Sequence, residues 1–345
     1  HPNALGAPSA GRTITVGNSD TLLLDASQGN IVFPANYTNL YLNGGGDSLL
    51  GGVRGALMSQ SGSNTVSCPV SLLGSTYLAS MQAGGKLVLA GPVSGTQDLS
   101  VYGEGDTVLG GAIVTGAKAL VKNGKGTLTL SGTGTNTFSG TTTVNAGTLV
   151  LAKASGTAGV NAIAGGAVTV NNGGVLRYAA SSANPDLMGT GAVTLNGGAQ
   201  LDFNGATDTI GALTVSASGA TGETTNLLNT AGGGNLTVAS LTVTPAPGQL
   251  ARLSSGSGTL TLGGNVTFSG SAAGRALVSG NLALGAASRT WTVNTGVHSN
   301  YDLAVDAVVS GAAASGMTKA GAGILRLSGA NTYDGNLTVN NSGGT

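Results

Sequence analysis

The sequence predicts an all-β solenoid, a β-helix in which short strands stack turn upon turn, and three observations carry that expectation. The first is an internal repeat. Ala167-Val168-Thr169-Val170-Asn171-Asn172-Gly173-Gly174-Val175-Leu176-Arg177-Tyr178 is matched 25 positions later by Ala192-Val193-Thr194-Leu195-Asn196-Gly197-Gly198-Ala199-Gln200-Leu201-Asp202-Phe203. A period one supersecondary unit long marks a solenoid or an array. The second is strand spacing. Alternating runs of Val, Leu, Ile and Thr recur about every eight to twelve residues from Ala119 onward, as all-β folds require. The third is the lack of apolar residues at helical spacing. Glycine, 62 of 345 residues, interrupts nearly every window, so no helix is expected.

Taken in order, residues 1–12 are broken by Pro and Gly and form a lead-in. Thr13–Val16, Thr21–Leu24, Asn30–Phe33 and Leu40–Leu42 alternate as strands, with turns at Gly44-Gly45-Gly46-Asp47 and Gly51-Gly52. Residues 53–83, with Met58, Cys68 and Met81, are the least regular and suit a short helix, a loop bulging from a coil, or a cap. Regular strands return at Lys86–Leu89, Leu99–Tyr102, Thr107–Leu109 and Ala112–Thr115, and continue through Thr127–Leu130, Thr142–Val144 and Thr148–Leu151. Beyond the two repeat lines come Ala212–Val215, Asn235–Val238, Ser240–Val243, Thr259–Leu262, Asn265–Phe268, Asn281–Leu284, Arg289–Val293 and Leu303–Val305. Pro245-Ala246-Pro247 reads as a loop. Residues 1–84 are thus expected to be less regular coils or a cap, and 85–345 a regular β-helix. The period drifts: Thr143-Val144-Asn145 precedes Thr169-Val170-Asn171 by 26, and Ala212 follows Ala192 by 20. At roughly 20–25 residues per coil the chain makes roughly 14–17 coils. One coil alone buries too little apolar surface to offset its chain entropy, so coils must stack.

Composition narrows the function. Lys plus Arg number 13, Asp plus Glu 13, and the formal net charge is +0, so no basic cluster is large enough to hold a nucleic acid. Only 8% of residues are charged, which leaves Thr, Ser, Asn and Gly to solvate the surface. No apolar run reaches about 18 residues, so no transmembrane segment is expected. The single cysteine, Cys68, excludes an intramolecular disulfide and reads as a small buried apolar residue. The chain opens at His1-Pro2 without a signal-peptide pattern, so an export signal is expected to be removed or to lie outside these residues.

Candidates for chemistry are few. His298 is the one internal histidine, His1 being terminal, and it reads as a loop residue. Neither a nucleophile elbow nor a phosphate-cradling glycine loop occurs. No His or Cys cluster offers metal-ligand spacing. Gly44-Gly45-Gly46-Asp47 has a faint likeness to a calcium-binding turn and reads as an ordinary one. Asp202, Asp208, Asp302 and Asp306 are candidates for a carboxylate pair across coils, the requirement for polysaccharide hydrolysis. Asn36, Asn235 and Asn265 open Asn-x-Thr triplets, expected by chance in so Asn- and Thr-rich a chain. Tyr37, Tyr41, Tyr77 and Trp291 are candidates for an aromatic glycan patch, and more often such residues pack. No catalytic, cofactor-binding or metal residue is assigned, and no cofactor is expected.

Two segments carry a family resemblance. Lys122-Asn123-Gly124-Lys125-Gly126-Thr127-Leu128-Thr129-Leu130-Ser131-Gly132 leads to Asn136-Thr137-Phe138-Ser139-Gly140, Thr143-Val144-Asn145 and Gly147-Thr148-Leu149. Lys319-Ala320-Gly321-Ala322-Gly323-Ile324-Leu325-Arg326-Leu327-Ser328-Gly329 leads to Asn331-Thr332-Tyr333-Asp334-Gly335 and Leu337-Thr338-Val339-Asn340. Both resemble the autotransporter-associated β-strand repeat, or passenger-associated transport repeat. The first copy has a Thr-Gly insertion before Asn136; the second breaks off at Asn341-Ser342-Gly343-Gly344-Thr345. The resemblance implies a right-handed parallel β-helix at the surface of a Gram-negative-type bacterium, outer-membrane-associated or extracellular, without catalysis. The function expected is that of a non-enzymatic structural protein, a fibre or filament subunit or an adhesin, with a polysaccharide-acting enzyme (hydrolase or lyase) or a glycan- or receptor-binding adhesin as the alternatives. Its expected partners are further copies, joined end to end through open sheet edges, and surface glycans or host cell surfaces.

Overall fold

The structure, a computed structural model, describes residues 11–47, 54–154, 159–180, 187–218, 222–295 and 300–340. It is an all-β parallel β-solenoid, and the one helical element among the described residues is a single 3-10 turn, Ala26–Gln28. The chain divides into two compact units, His1–Ala167 and Val168–Thr345.

The first unit carries three stacks of parallel strands, one for each side of a turn. Thr13–Val16, Asn39–Leu42, Val70–Leu72, Val93–Gly95 and Ile113–Val114 make the first. Leu22–Asp25, Leu57–Ser61, Thr76–Ser80, Leu99–Tyr102, Leu120–Lys122 and Thr142–Val144 make the second. Val32–Phe33, Ser63–Val66, Lys86–Leu89, Asp106–Leu109, Thr127–Gly132 and Gly147–Lys153 make the third. Side chains alternate across each strand. Leu128 and Leu130 therefore point inward onto Leu149 and Leu151 of the next turn, and all four are fully buried.

The second unit repeats the plan. Its 25-residue period appears as register: Val168 lies opposite Val193, Thr169 opposite Thr194, Leu176 opposite Leu201. The 20-residue step places Val193 opposite Leu213. Long strands such as Asp208–Ser216 and Asn235–Val243 serve two sides of a turn, one half of each pairing with different neighbours. Six successive turns place an apolar-Thr-apolar triplet at one register position, from Val168-Thr169-Val170 to Trp291-Thr292-Val293. In each the flanking apolar residues are buried and the threonine half-exposed. The bulky aromatics Tyr178, Phe203, Phe268 and Trp291 fill the interior.

Two expectations need correction. The turns number about 12, below the 14–17 expected. Several turns run longer than 20–25 residues: Leu22 pairs with Leu57, Leu40 with Val70, Arg289 with Met317. Second, residues 57–80 hold no helix. They form four of the strands above, with Met58 and Cys68 in the core. Their repeat is masked in the sequence because the step from Leu22 to Leu57 is long and that from Leu57 to Leu78 short.

Corners explain the glycine content. Gly103, Gly124 and Gly147 fall on one corner of three successive turns, with φ of 109°, 74° and 67°. A Cβ on Gly124 would collide with the backbone of Gly103. Left-handed backbone and close approach together demand glycine there. Leu195→Ala should cost about 2–5 kcal/mol by emptying a fully buried site. Thr194→Ala, on the outward face, should stay within about 0.5 kcal/mol. Urea denaturation of the two variants checks the contrast.

Candidate functional site

The four aspartates proposed for hydrolysis fall into separate local networks. Asp202 is fully buried. It accepts from Arg177 Nε at 2.9 Å, Thr230 Oγ1 at 2.8 Å, Thr230 N at 3.1 Å and Asn204 N at 3.0 Å. Asp208, also buried, accepts from Met188 N and Thr209 N at 3.0 and 2.7 Å. Asp302 is buried and accepts from Ile324 N at 2.7 Å. Asp306 is exposed; hydrogen bonds from Ser328 and then Arg326 hold its carboxyl below the usual range. These carboxylates accept from backbone amides and neighbouring side chains, each within its own local network.

Other candidates sort similarly. Cys68 is buried, and burial pushes its thiol up, away from the reactive thiolate. Tyr37 and Trp291 are core residues: Tyr37 meets Phe33 edge-on at 6.4 Å and lies under Arg12 at 5.7 Å. Tyr41 and Tyr77 stay half-exposed, and Tyr77 packs against Tyr102 at 5.1 Å. Asn235 and Asn265 are taken up by the stack, accepting from Thr261 Oγ1 at 2.7 Å and Thr290 N at 3.0 Å. Asn36 is exposed. In the Gly44-Gly45-Gly46-Asp47 turn, Asp47 N donates to Thr21 Oγ1 at 2.9 Å. His1 and His298 lie outside the described residues. Among the described residues no group of three His, Cys, Asp or Glu is placed to hold a metal, and no helix is long and apolar enough to cross a membrane.

Sequence reasoning missed what the repeat letters do. Lys122 continues the inward column of Val101 and Val144 and is 2% exposed. Its ammonium donates to the carbonyls of Asn123, Gly124 and Ala146 at 2.8, 2.7 and 3.2 Å. Lys319, in the second copy, donates to the corresponding carbonyls of Ala320 and Gly321 at 3.2 and 2.6 Å. Burial pushes Lys122 down to about 8, and the charge of Asp106 acts in the opposite sense. Lys153, another inward lysine, is likewise pushed down to about 8. Asn136 is fully buried; its Oδ1 accepts from Ile113 N at 2.8 Å and its Nδ2 donates to Ala162 O at 2.8 Å. Asn331 does half of this, accepting from Val309 N at 2.9 Å. Lysine and asparagine therefore close the corners where strand pairing lapses. The matching positions of these residues in the two copies were the signal available in the sequence.

One exposed face concentrates charge. In the second unit, Glu223–Leu228, Leu250–Ser254, Arg275–Ser279, Leu303–Val305 and Leu325–Leu327 lie on successive turns. Arg252 pairs with Glu223 at 2.8 Å, and Arg326 with Asp306 at 2.9 Å. Hydrogen bonding from Arg252 holds the Glu223 carboxyl below its usual range. Arg275 and Arg326 both sit over the Tyr301 ring, at 5.5 and 4.4 Å from its centroid.

Fold and corner chemistry thus define a β-solenoid whose recurrent polar residues serve stacking. Residues 120–151 and 317–345 match the passenger-associated-transport-repeat family. No curated protein and no solved structure matches the chain. The repeat and the parallel β-solenoid together fit an autotransporter passenger β-helix protein. The repeat family implies an extracellular or cell-surface location.

Asn136→Ala should cost about 2–3 kcal/mol, because it orphans a buried N–H and a buried carbonyl. A second test uses pH. Folded Lys122 loses its proton near 8 against 10.5 for the ordinary side chain, so the unfolded state binds more protons between those values. Stability of the native chain should rise across that window, and rise less in Lys122→Met, as read by denaturant titrations at pH 7.5 and 10.

Proposed function

We propose that this chain is a non-enzymatic passenger displayed at the cell surface, where the solenoid acts as a structural scaffold and adhesin. The observation that carries the reading is the use made of the repeat. Its lysines, asparagines and glycines shape corners and join turns, and its leucines and valines fill the interior, which leaves no repeated residue for chemistry. The burial and local pairing of Asp202, Asp208 and Asp302 supports the same reading over the polysaccharide-hydrolase alternative. The half-exposed Arg–Tyr face favours adhesion over a purely fibrous role, since it offers directional polar groups to a partner.

Two measurements test this. Joined to an outer-membrane barrel in a Gram-negative host, the chain should be reached by antibody and by added protease on intact cells; confinement inside the cell would overturn the reading. The purified chain should release no reducing or unsaturated ends from a panel of plant and microbial glycans. Turnover that disappears in Asp202→Asn or Asp302→Asn would establish the enzyme instead.

A further inference from the structure

We propose that the face formed by Arg252, Arg275, Tyr301 and Arg326 binds an acidic polysaccharide through its carboxylate groups. The starting observation is an imbalance. Arg252 and Arg326 each have a carboxylate partner, whereas Arg275 makes no ion pair within 4 Å among the described residues. Its Nε is enclosed without an acceptor, while the residue as a whole keeps partial exposure. A buried donor left without a partner calls for an explanation, and the carboxylate that feels the Arg275 charge, Glu223, is already paired with Arg252.

Tyr301 supplies the geometry. Its ring attracts both Arg275 and Arg326, so the two guanidinium carbons lie within about 10 Å of one another with no anion shared between them. Ring contact also restricts the two side chains before any ligand arrives, which reduces the ordering cost of binding. A guanidinium presents paired N–H donors that match a carboxylate.

The arrangement selects an extended ligand. Arg252 lies three rungs from Arg326 in one register column, Arg252-Leu277-Ala304-Arg326, and Arg275 sits two residues aside on the rung between. Rungs repeat at about 4.7–4.9 Å, so the three cations are strung along the stack on the outer face of the sheet, where Ala304 is fully covered. A polymer bearing one acid per sugar meets such a line at several points. Nucleic acid is a poor fit, because Glu223 and Asp306 leave the patch a net charge of one, too little for a phosphodiester backbone. The inference rests on the adhesin reading above, but its test uses purified protein and does not depend on display or on catalysis.

Isothermal titration of the purified chain with oligomeric polyuronate, dextran sulfate and neutral dextran decides the matter. Polyuronate should bind, neutral dextran should not, and affinity should fall with added salt. Arg275→Ala should weaken polyuronate binding at least tenfold, with Arg275→Lys between. Glu223→Gln frees Arg252 and should strengthen binding severalfold, a gain that misfolding cannot imitate; Lys125→Ala, in the first unit, should bind as the native chain does. Absence of polyuronate binding, or binding indifferent to both Arg275→Ala and Glu223→Gln, would overturn the proposal. Binding of dextran sulfate alone would overturn the assignment to carboxylate.

Discussion

Everything in this fold depends on one constraint: a turn of the solenoid has no complete set of hydrogen-bond partners of its own. Its backbone amides and carbonyls must be met by the turns on either side. Along the flat sides the parallel ladder does this, as in the run from Thr127 to Gly132 against Thr148 to Lys153. At the corners the ladder lapses, and buried backbone groups left there would be costly. The chain answers with side chains that imitate a strand. Asn136 receives an amide from one side and gives one to the other, as an extended residue would. Lys122 gathers three carbonyls that turn inward at its corner.

The same constraint accounts for the uncharged polar residues of the chain. Thr, Asn and Ser are abundant because they continue the ladder outside the core. Asn196 donates to Asn171, Asn294 to Ser269, and Asn145 to Asn123, each joining one turn to the next. Asp202 belongs to this class despite its charge: Arg177 lies opposite it in register, and its remaining lone pairs are taken up by Thr230 and Asn204. A carboxylate so fully engaged holds a corner together and is poorly placed to exchange protons with a substrate.

Against that background the Arg–Tyr face stands apart. Many polar side chains bond to the next turn of the stack, whereas Arg275 and Arg326 share an aromatic ring and, among the described residues, Arg275 makes no ion pair within 4 Å. A solenoid holds such groups at the spacing of its rungs, so a face of this kind is ordered by the fold and not by a pocket. That is a suitable design for meeting a long, repetitive partner.

The sequence by itself determined the solenoid. The 25-residue identity between Val168 and Val193, or Leu176 and Leu201, is the register seen in space, because parallel turns set equivalent residues opposite one another. Alternation likewise sent Leu128 and Leu130 inward, since strand parity follows directly from the order of residues. Only the tertiary structure decided which polar and aromatic residues were structural. Leu120-Val121-Lys122 is apolar on both faces until its lysine, so parity was hidden and the buried ammonium with it. Trp291 and Tyr37 turned inward, and the clustered Arg275, Tyr301 and Arg326 came from three different turns. The number of turns, too, awaited the structure, because a loop that swells at a corner changes the chain length of a turn without changing its stacking. The local pattern specifies what each strand faces; the partner it meets across a corner depends on how far the chain travels before it returns.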